Sequence, residues 1–383
     1  YAAPANPGIL QVAKQAQISI NDFNQVSTFC KENHIDFVVI GPEQPLEAGL
    51  SDALRSEGIV VFGPSKQAAM LETSKSFAKE FMVRHTIPTA SFKRFTVIQQ
   101  AQALEYVKNH PLPVVIKADG LAAGKGVVVA ETTLDAENAI KDILGGSFGS
   151  AGAEVVVEAF LKGEEASVFA ICDGRNFLTL APAQDHKRAF DGDKGKNTGG
   201  MGAFAPAAIV TEEILKKVKE KIIAPTLAGM AEEGAPFIGC LFVGLMIDNG
   251  EPSVVEFNCR FGDPETQAVL SVTEGDFADL FFSAALGLLH PGAITNIYNG
   301  YACNVVLASG GYPDTYKTGY SITGISDAEE TGVTVFHAGT KIENSSLVTN
   351  GGRVLGVCGK GTSLSEAIKN AYNGVNFIKF TDE

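Results

Sequence analysis

The glycine-rich segment KADGLAAGKGVVVA at 117–130 constrains the fold more than any other part of the sequence. Short apolar runs, VVI at 114–116 and VVVA at 127–130, lie on either side of the glycines and predict two strands. A P-loop requires G-x-x-x-x-G-K-[ST] at the start of a helix. Here Gly120 and Gly124 are one residue too close together and a strand follows. We therefore predict a β-hairpin loop that folds over phosphates or, alternatively, a flexible hairpin with surface lysines.

Alternating strand and helix patterns in the rest of the chain predict an α/β fold. The runs IDFVVI at 35–40 and IVVFG at 59–63 flank a helical stretch near 46–57, which is typical of a βαβ unit with buried parallel strands. The pattern predicts further strands at 154–160, 166–171, 240–247 and 253–257, with a β-rich stretch from about 300. It predicts further helices from near 73 and at 133–144, 211–233, 274–288 and 363–373.

The acidic composition limits the classes of function. The chain has 30 Lys+Arg against 44 Asp+Glu and a net charge of -14, so its surface repels nucleic-acid backbones and we expect no nucleic-acid partner. No apolar run reaches the roughly 18 residues of a membrane span, and we interpret 277–289 as a buried helix. The six cysteines form no C-x-x-C pair, which predicts free thiols in a reducing, cytoplasmic compartment.

The end of the predicted strand VVEFN carries a candidate metal site. Glu256 and Asn258 are two residues apart, so both side chains point to the same face of a strand. Their hard oxygen atoms suit Mg²⁺ that bridges nucleotide phosphates, and Arg260 follows as a phosphate or carboxylate ligand. A solvated strand end explains the E-x-N pattern alone equally well.

Two further segments carry candidate binding residues. EAFLKGEE at 158–165 predicts a strand, a short connection and a strand, which suits an adenine edge and a ribose, or else an ordinary acidic hairpin. QDHKRAFDGDKGKNTGGMGAF at 184–204 combines mixed charge with glycines. That combination is typical of a loop that binds a charged substrate, or of a solvated surface loop.

Taken together, these segments resemble the ATP-grasp ligases and, among them, the phosphoribosylamine–glycine ligase family, over essentially the whole chain. The motifs that carry the resemblance are LETSKSF (71–77), IKADGLAAGKGVVVA (116–130), EAFLKGEEAS (158–167), QDHKR (184–188), NTGGMGAF (197–204) and EFNCRFGDPETQ (256–267). The resemblance implies ATP-dependent phosphorylation of glycine, followed by attack of the 5-phosphoribosylamine nitrogen on the glycyl phosphate. The expected products are glycinamide ribonucleotide, ADP and phosphate.

The resemblance also implies a role for individual residues. For ATP phosphates it implies Lys75 and Lys117 and a closing loop that contains Gly120, Gly124, Lys125 and Gly126. For the rest of the nucleotide, it implies that Glu158, Phe160 and Leu161 contact adenine and that Glu165 (or Glu164) binds the ribose. It implies Glu256 and Asn258 as ligands of Mg²⁺ or Mn²⁺ and Arg260 as the contact of the acyl phosphate. It implies Asp185 and Lys187 as contacts of glycine or phosphoribosylamine. Because Asp248 is predicted to fall in a turn, we expect only two protein ligands to the metal.

The resemblance implies a three-part α/β architecture of the ATP-grasp type. We expect a Rossmann-like N-terminal domain at 1–74, an ATP-grasp domain at 75–294 with a small lid subdomain near 90–160 and a larger subdomain near 161–294, and a β-rich C-terminal domain at 295–383. Family members open with a further strand and glycine-rich turn, which we expect to precede residue 1 in the natural chain. We expect a monomer or a dimer.

Two questions stay open at this point, and a third interpretation is disfavoured. The motif at 310–313 and Arg353 are either substrate contacts or turn formers. Another ATP-grasp carboxylate–amine ligase, or a non-catalytic ATP-binding module, would share part of the pattern. A dinucleotide-dependent oxidoreductase is disfavoured because no G-x-G-x-x-G follows a strand.

Overall fold

The computed structural model describes residues 1–121, 126–192 and 194–381. The helices are α1 Phe23–Glu32, α2 Glu43–Ala48, α3 Leu50–Ser56, α4 Met70–Thr73, α5 Lys75–Arg84, α6 Gln100–Lys108, α7 Thr133–Asp142, α8 Glu212–Val218, α9 Ala224–Glu232, α10 Glu265–Ser271, α11 Phe277–Ala285, α12 Ile325–Glu330 and α13 Leu364–Val375. The strands up to the middle of the chain are β1 Val38–Val39, β2 Val61–Phe62, β3 Phe92–Thr96, β4 Val114–Ala118, β5 Val127–Ala130, β6 Glu154–Ala159, β7 Glu164–Asp173, β8 Phe177–Thr179, β9 Gln184–Phe190 and β10 Lys194–Ala205. The later strands are β11 Ile238–Asp248, β12 Glu251–Asn258, β13 Glu274–Gly275, β14 Ile294–Asn296, β15 Tyr301–Ala308, β16 Thr334–His337, β17 Thr340–Glu343, β18 Ser346–Thr349 and β19 Arg353–Gly361.

The N-terminal region contains the predicted βαβ unit. β1 and β2 pair in parallel, with α2 and α3 between them in the chain. The prediction that β1 is buried is wrong at Val39, which is 44% exposed, because β2 is the only strand paired with β1 in the described residues. The helix predicted from near Thr73 is α5, which begins at Lys75 and is separated from the short helix α4 by Ser74. The Ser74 hydroxyl accepts a hydrogen bond from the Phe77 N–H (3.1 Å) and so caps α5.

A small antiparallel sheet in the order β3-β6-β4-β5, here called the small sheet, follows this region. β4 and β5 form the predicted hairpin, with Val114 opposite Ala130 and Lys117 opposite Val127. Helices α6 and α7 cover one side of the sheet, and their apolar residues share a core with it. The hairpin therefore brings Lys117 to the end of a buried strand, next to the glycine-rich turn.

A second antiparallel sheet in the order β12-β11-β7-β8, here called the central sheet, carries the end of the E-x-N strand. β6 belongs to the small sheet and β7 to the central sheet, so the segment from Glu158 to Glu165 is not an acidic hairpin. Its middle part, 160–163, is the connection between the two sheets. The central sheet shares a hydrophobic core with α1 and α3 of the N-terminal region and with α5, which follows that region.

A third sheet in the order β16-β19-β15-β10-β9, here called the long sheet, includes the QDHKR motif. The sequence predicts a loop at 184–204, and this prediction is wrong because β9 and β10 are paired antiparallel strands. β10 also pairs with β15, with Gly202 opposite Val305. The long sheet therefore continues across the predicted domain boundary at 294/295.

The cysteines and α11 lie as their apolar surroundings predict. All six cysteine thiols are free, and five of them are buried. Leu280 and Ala284 of α11 are fully buried. Within the described residues, none of the helices has both the length and the apolar character needed to cross a membrane.

Candidate active site

Two buried lysines share one carboxylate where the small sheet meets α5. The Lys117 Nζ lies 3.1 Å from Glu158 Oε1, and the Lys79 Nζ lies 2.8 Å from Glu158 Oε2. The three side chains are 3–5% exposed. Lys117 also donates a hydrogen bond to the carbonyl of Val255 in β12 (3.2 Å). Burial lowers the pKa of Lys79 to about 8, although Glu158 opposes the shift.

Lys75 lies one helical turn before Lys79 and faces the glycine-rich turn. Its Nζ donates to the Gly120 carbonyl at 3.2 Å, and the neighbouring Ser76 N–H donates to Asp119 Oδ1 at 2.6 Å. Burial lowers the pKa of Lys75, and Glu256 partly offsets this effect. A Cβ at Gly120 would lie 2.9 Å from the Cα of Ala151, so the position requires glycine.

The glycine-rich turn is described at its two ends only. Gly126 accepts a hydrogen bond from the Ala118 N–H at 2.7 Å and begins the return to β5. The predicted phosphate-contact residues Gly124 and Lys125 lie outside the described residues. Their role stays a prediction.

Glu256 interacts electrostatically with four basic residues of the site. Burial raises its pKa, but Lys187, Lys117, Lys75 and Arg260 outweigh burial and lower the pKa below its ordinary value. This carboxylate is therefore held ionised by four cations from different elements. Asn258 follows it on the same strand, two residues further along.

The central-sheet register places no carboxylate directly beside this pair on β11. Gly244 lies opposite Glu256, and Phe242 lies opposite Asn258. Asp248, expected in a turn, is instead the last residue of β11 and lies opposite Glu251, at the far end of the strand pair.

Lys187 stands between two acidic residues on the other side of Glu256. Its Nζ lies 2.5 Å from Glu165 Oε2 and 3.9 Å from Asp185 Oδ2. Burial lowers the pKa of Lys187, but Asp185, Glu165 and Glu256 outweigh burial and raise it. Burial raises the pKa of Asp185, and Lys187 opposes this shift. Lys187, Asp185, Glu165 and Glu256 line one small cavity, so strand β9 brings the QDHKR motif to the E-x-N strand.

Arg260 is held by carboxylates of the N-terminal region. Its Nη2 lies 3.1 Å from Glu72 Oε1, and its Nε lies 3.5 Å from Glu43 Oε2. Burial raises the pKa of Glu72 to about 7, with Arg260 opposing the shift. The other oxygen of Glu72 accepts a hydrogen bond from the Cys259 N–H at 2.6 Å. The guanidinium is therefore fixed next to the end of β12 by residues from α2 and α4.

Comparison with protein-family models shows which family the chain belongs to. Three domain models of phosphoribosylglycinamide synthetase match the chain in order: the N domain at 1–72, the ATP-grasp (A) domain at 73–266 and the C domain at 302–383. The chain belongs to the phosphoribosylglycinamide synthetase family.

Curated relatives and a solved structure agree with this family. A phosphoribosylamine–glycine ligase of Mesorhizobium japonicum is 50% identical over 384 residues, which cover 100% of this chain and 89% of the relative. A ligase of the same name from Rhizobium meliloti is 48% identical, with 99% and 89% covered. The crystal structure of phosphoribosylamine–glycine ligase from Thermotoga maritima superposes with a TM-score of 0.86 at 34% identity and covers 99% of this chain and 90% of that one.

These findings confirm the predicted family, the α/β ATP-grasp fold and an ATP-dependent ligase. As in the prediction for this synthetase family, Lys75, Lys117, Glu256 and Arg260 converge on one site. Glu158 is close to that site, but its carboxylate is paired with two lysines. Its contact with adenine, like the roles of the other site residues, stays a prediction.

The predicted adenine and ribose residues lie along the connection between the sheets. Phe160 is 39% exposed and Leu161 follows it, directly after β6. Glu165 lies in β7 and is paired with Lys187, while Glu164 is the first residue of that strand.

Three residues of this synthetase site were not predicted from the sequence. Lys79, Glu72 and Glu265 are all buried beside the predicted residues. For Lys79 there is a signal, since it follows Lys75 at i+4 on one helix face and has apolar neighbours in the helix. Glu72 lies in the motif LETSKSF (71–77) and Glu265 in EFNCRFGDPETQ (256–267), so both stand within segments that carry the resemblance. Their position in the sequence does not indicate which partners they would meet.

Arg353 contacts two of the sequence motifs in the folded chain. Its Nη1 donates to the carbonyls of Gly199 (2.6 Å) and Asp263 (2.9 Å), and its Nη2 pairs with Asp263 Oδ2 at 2.9 Å. The Tyr312 hydroxyl accepts a hydrogen bond from the Gly199 N–H at 3.0 Å. Arg353 and Tyr312 thus hold the NTGG and RFGDP motifs together from the C-terminal part of the chain.

Proposed function

We propose that the chain joins glycine to 5-phosphoribosylamine with ATP, through a glycyl phosphate, and releases glycinamide ribonucleotide, ADP and phosphate. The observation that carries the proposal is the grouping of four cations around the ionised Glu256, in a chain whose net charge is -14. Cationic side chains that can bind phosphate are thus grouped where two phosphate-bearing substrates would meet. The family match supplies the two substrates by the names of the relatives.

Lys75 and Lys117 would contact the ATP phosphates, with the turn at 120–126 closing over them. The two ammonium groups come from regular elements, α5 and β4. Lys117 is buried and Lys75 is partly buried, with its Nζ hydrogen-bonded to the Gly120 carbonyl, so both groups are held in place before the nucleotide arrives. Phe160 and Leu161 would hold adenine through their backbone groups, with Glu158 beside them. Glu165, or its neighbour Glu164, would take the ribose hydroxyls.

Glu256 and Asn258 fit a divalent cation, Mg²⁺ or Mn²⁺. They offer a carboxylate and an amide oxygen on one strand face, and the surrounding cations keep the carboxylate ionised without a metal. The cation would neutralise phosphate charge during phosphoryl transfer. Its two protein ligands would be Glu256 and Asn258.

The reaction itself needs positioning and charge neutralisation more than a protein nucleophile. A glycine carboxylate oxygen attacks the γ-phosphorus of ATP, and ADP leaves. The amine of phosphoribosylamine then attacks the acyl carbon, phosphate leaves, and the nitrogen loses a proton. Arg260 would stabilise the charge on the acyl phosphate, because Glu43 and Glu72 fix its guanidinium. Asp185 and Lys187 would orient glycine or the amine.

A substitution at Glu256 tests the proposal. We expect Glu256→Gln to lower kcat for ADP release by on the order of 100-fold or more, because the variant loses the anionic metal ligand. Glu251→Gln is the matched control, since Glu251 lies on the same strand, is 61% exposed and pairs only with surface lysines among the contacts described. ADP release is measured with glycine and phosphoribosylamine, separately and together.

Two results would contradict the proposal. Turnover without glycine would indicate another carboxylate–amine ligase, and ATP binding without turnover under any combination would indicate a binding module. Wild-type activity in Glu256→Gln would refute the metal assignment alone.

We propose a cytoplasmic monomer or dimer as the working form. Five of the six cysteines are buried free thiols, which suits a reducing compartment. Light scattering of the purified chain measures the oligomeric state, and a larger assembly would contradict this part.

A further inference from the structure

Lys79 is a buried charge that the reaction scheme above does not use. It lies in α5, its side chain is 3% exposed, and its Nζ has two partners at short distance. One is Glu158 Oε2 at 2.8 Å, and the other is the Thr89 hydroxyl oxygen at 2.7 Å. Burying an ammonium group costs free energy unless the group is paired. The two contacts offset that cost, and the question is what a buried lysine at this position does for the site.

The second partner of Lys79 connects it to the strand that carries the proposed metal ligands. Thr89 accepts the hydrogen bond from Lys79 and donates its own to the carbonyl of Val254 at 2.7 Å. Lys117 donates to the next carbonyl, that of Val255, at 3.2 Å. Both lysines are therefore anchored to consecutive residues of β12, directly before Glu256.

Glu158 lies between the two lysines and is shared by them. One of its oxygens faces each ammonium group, at 2.8 and 3.1 Å. If Glu158 had only Lys117 as a partner, the pair would be neutral and Lys117 would attract phosphates weakly. With Lys79 present, the buried group of two lysines and one carboxylate carries a net positive charge, and the carboxylate still fixes the position of Lys117.

We propose that Lys79 is a positioning residue for nucleotide binding. It holds Glu158 by a second ion pair, so that Glu158 keeps the Lys117 ammonium group beside β12 without cancelling its charge toward the ATP phosphates. The inference rests on the proposed function in one respect, namely that Lys117 contacts those phosphates.

The main experiment compares Lys79→Met with the wild-type protein. Met keeps the length of the side chain and removes the charge. We expect the Kd of a non-hydrolysable ATP analogue with Mg²⁺, and the KM for ATP, to rise on the order of tenfold, because the buried group loses one positive charge near the phosphates. The KM for glycine should stay within about twofold, since Lys79 touches none of the residues proposed for glycine.

A double variant tests whether Lys79 acts through Lys117. Lys117→Met should weaken analogue binding by itself, and adding Lys79→Met to it should produce little further change, because Lys79 contributes to binding only by positioning Lys117. Independent, additive losses would overturn the proposal. So would a folded Lys79→Met variant with unchanged analogue affinity, or one in which KM for ATP and KM for glycine rise equally.

Milder variants keep the test decisive if Lys79→Met does not fold. Lys79→Arg retains the charge and should bind the analogue more tightly than any neutral variant that folds. Thr89→Val removes the hydroxyl that links Lys79 to β12 and should weaken binding in the same direction but less. Unchanged binding in Thr89→Val, together with weakened binding in Lys79→Arg, would contradict the proposal.

The control is Lys141→Met, which removes a surface lysine paired with Glu137 at i,i+4 and should leave binding unchanged. The analogue affinity is measured without glycine or phosphoribosylamine. A wild-type chain that binds the analogue but makes no product would therefore count against the proposed reaction, while the comparison of Lys79 variants would still decide this inference.

Discussion

At the scale of the residue, Glu265 makes the stability of the protein depend on pH. It begins α10 and is 5% exposed. Burial raises its pKa to about 7, and the nearby Asp185 adds to the shift. Between about pH 4.5 and 7 the folded protein thus holds a proton that the unfolded chain has released. The free energy of unfolding falls as pH rises through this window and stays reduced above it.

Glu265→Gln should remove this contribution, because the amide is neutral at every pH. We expect the variant to lose less stability than the wild type between pH 5 and pH 8, by up to about 3 kcal/mol for a shift of this size. The measurement is thermal unfolding at both values of pH, with Glu251→Gln as an exposed control. An equal loss in wild type and Glu265→Gln would show that Glu265 titrates normally.

At the scale of the element, the connection from β6 to β7 depends on a glycine. Gly163 has φ +133°, and a Cβ there would lie 2.2 Å from the Ile247 carbonyl oxygen. The connection therefore passes directly against β11 and fixes where the small sheet joins the central sheet. Phe160 and Leu161, proposed for adenine, are part of the same four-residue connection.

Gly163→Ala should destabilise the protein more than Gly250→Ala. Gly250 also has a positive φ, +79°, but no atom lies within 4 Å of its would-be Cβ. The control variant thus measures only the backbone cost, about 1 kcal/mol, and the excess in Gly163→Ala measures the steric clash. Denaturant unfolding of both variants gives the comparison, and equal losses would contradict a tight contact at Ile247.

The strands β9 and β10 show why local patterns missed an element. The segment 184–204 contains several glycines and many charges, which is typical of loops. Its pairing is irregular, with register shifts between Lys194 and Asn197 and between Asn197 and Gly202. The partner that completes the pairing of β10 is β15, about a hundred residues later. Such non-local pairing leaves little trace in the local sequence.

At the scale of the whole molecule, the long sheet makes the C-terminal part of the chain, 295–383, a component of the active-site scaffold. β10 carries the NTGGMG motif and pairs with β15, and Arg353 links Gly199 to Asp263. A chain that ends at residue 294 would expose the edge of β10 and lose these contacts.

We therefore expect the polypeptide 1–294 to lack a cooperative thermal transition and to bind a hydrophobic dye, while the full chain unfolds cooperatively. Differential scanning calorimetry and dye fluorescence measure the two properties. A soluble 1–294 chain with a cooperative transition and no dye binding would show that the ATP-grasp region folds independently of the C-terminal part.

The family, the hairpin around the glycine-rich turn, and the strand face shared by Glu256 and Asn258 could all be predicted from the amino-acid sequence. These features can be predicted because the alternation of residues along a strand and the spacing of glycines are patterns that span only a few residues of sequence. The sequence also indicates the candidate cations Lys75, Lys117, Lys187 and Arg260. Their arrangement around one carboxylate could not be read from it.

The contacts of these residues, in contrast, become visible only in the folded chain. Glu158 is shared by two lysines, and Arg260 is held by Glu43 and Glu72. The QDHKR motif forms a strand whose Asp185 and Lys187 line one cavity with Glu256. Each of these contacts joins residues from separate elements. Burial then sets their charge states, as the pKa values of Lys79 and Glu72 show. Such contacts depend on how sheets pack and on how much water packing excludes, and a local sequence pattern encodes neither.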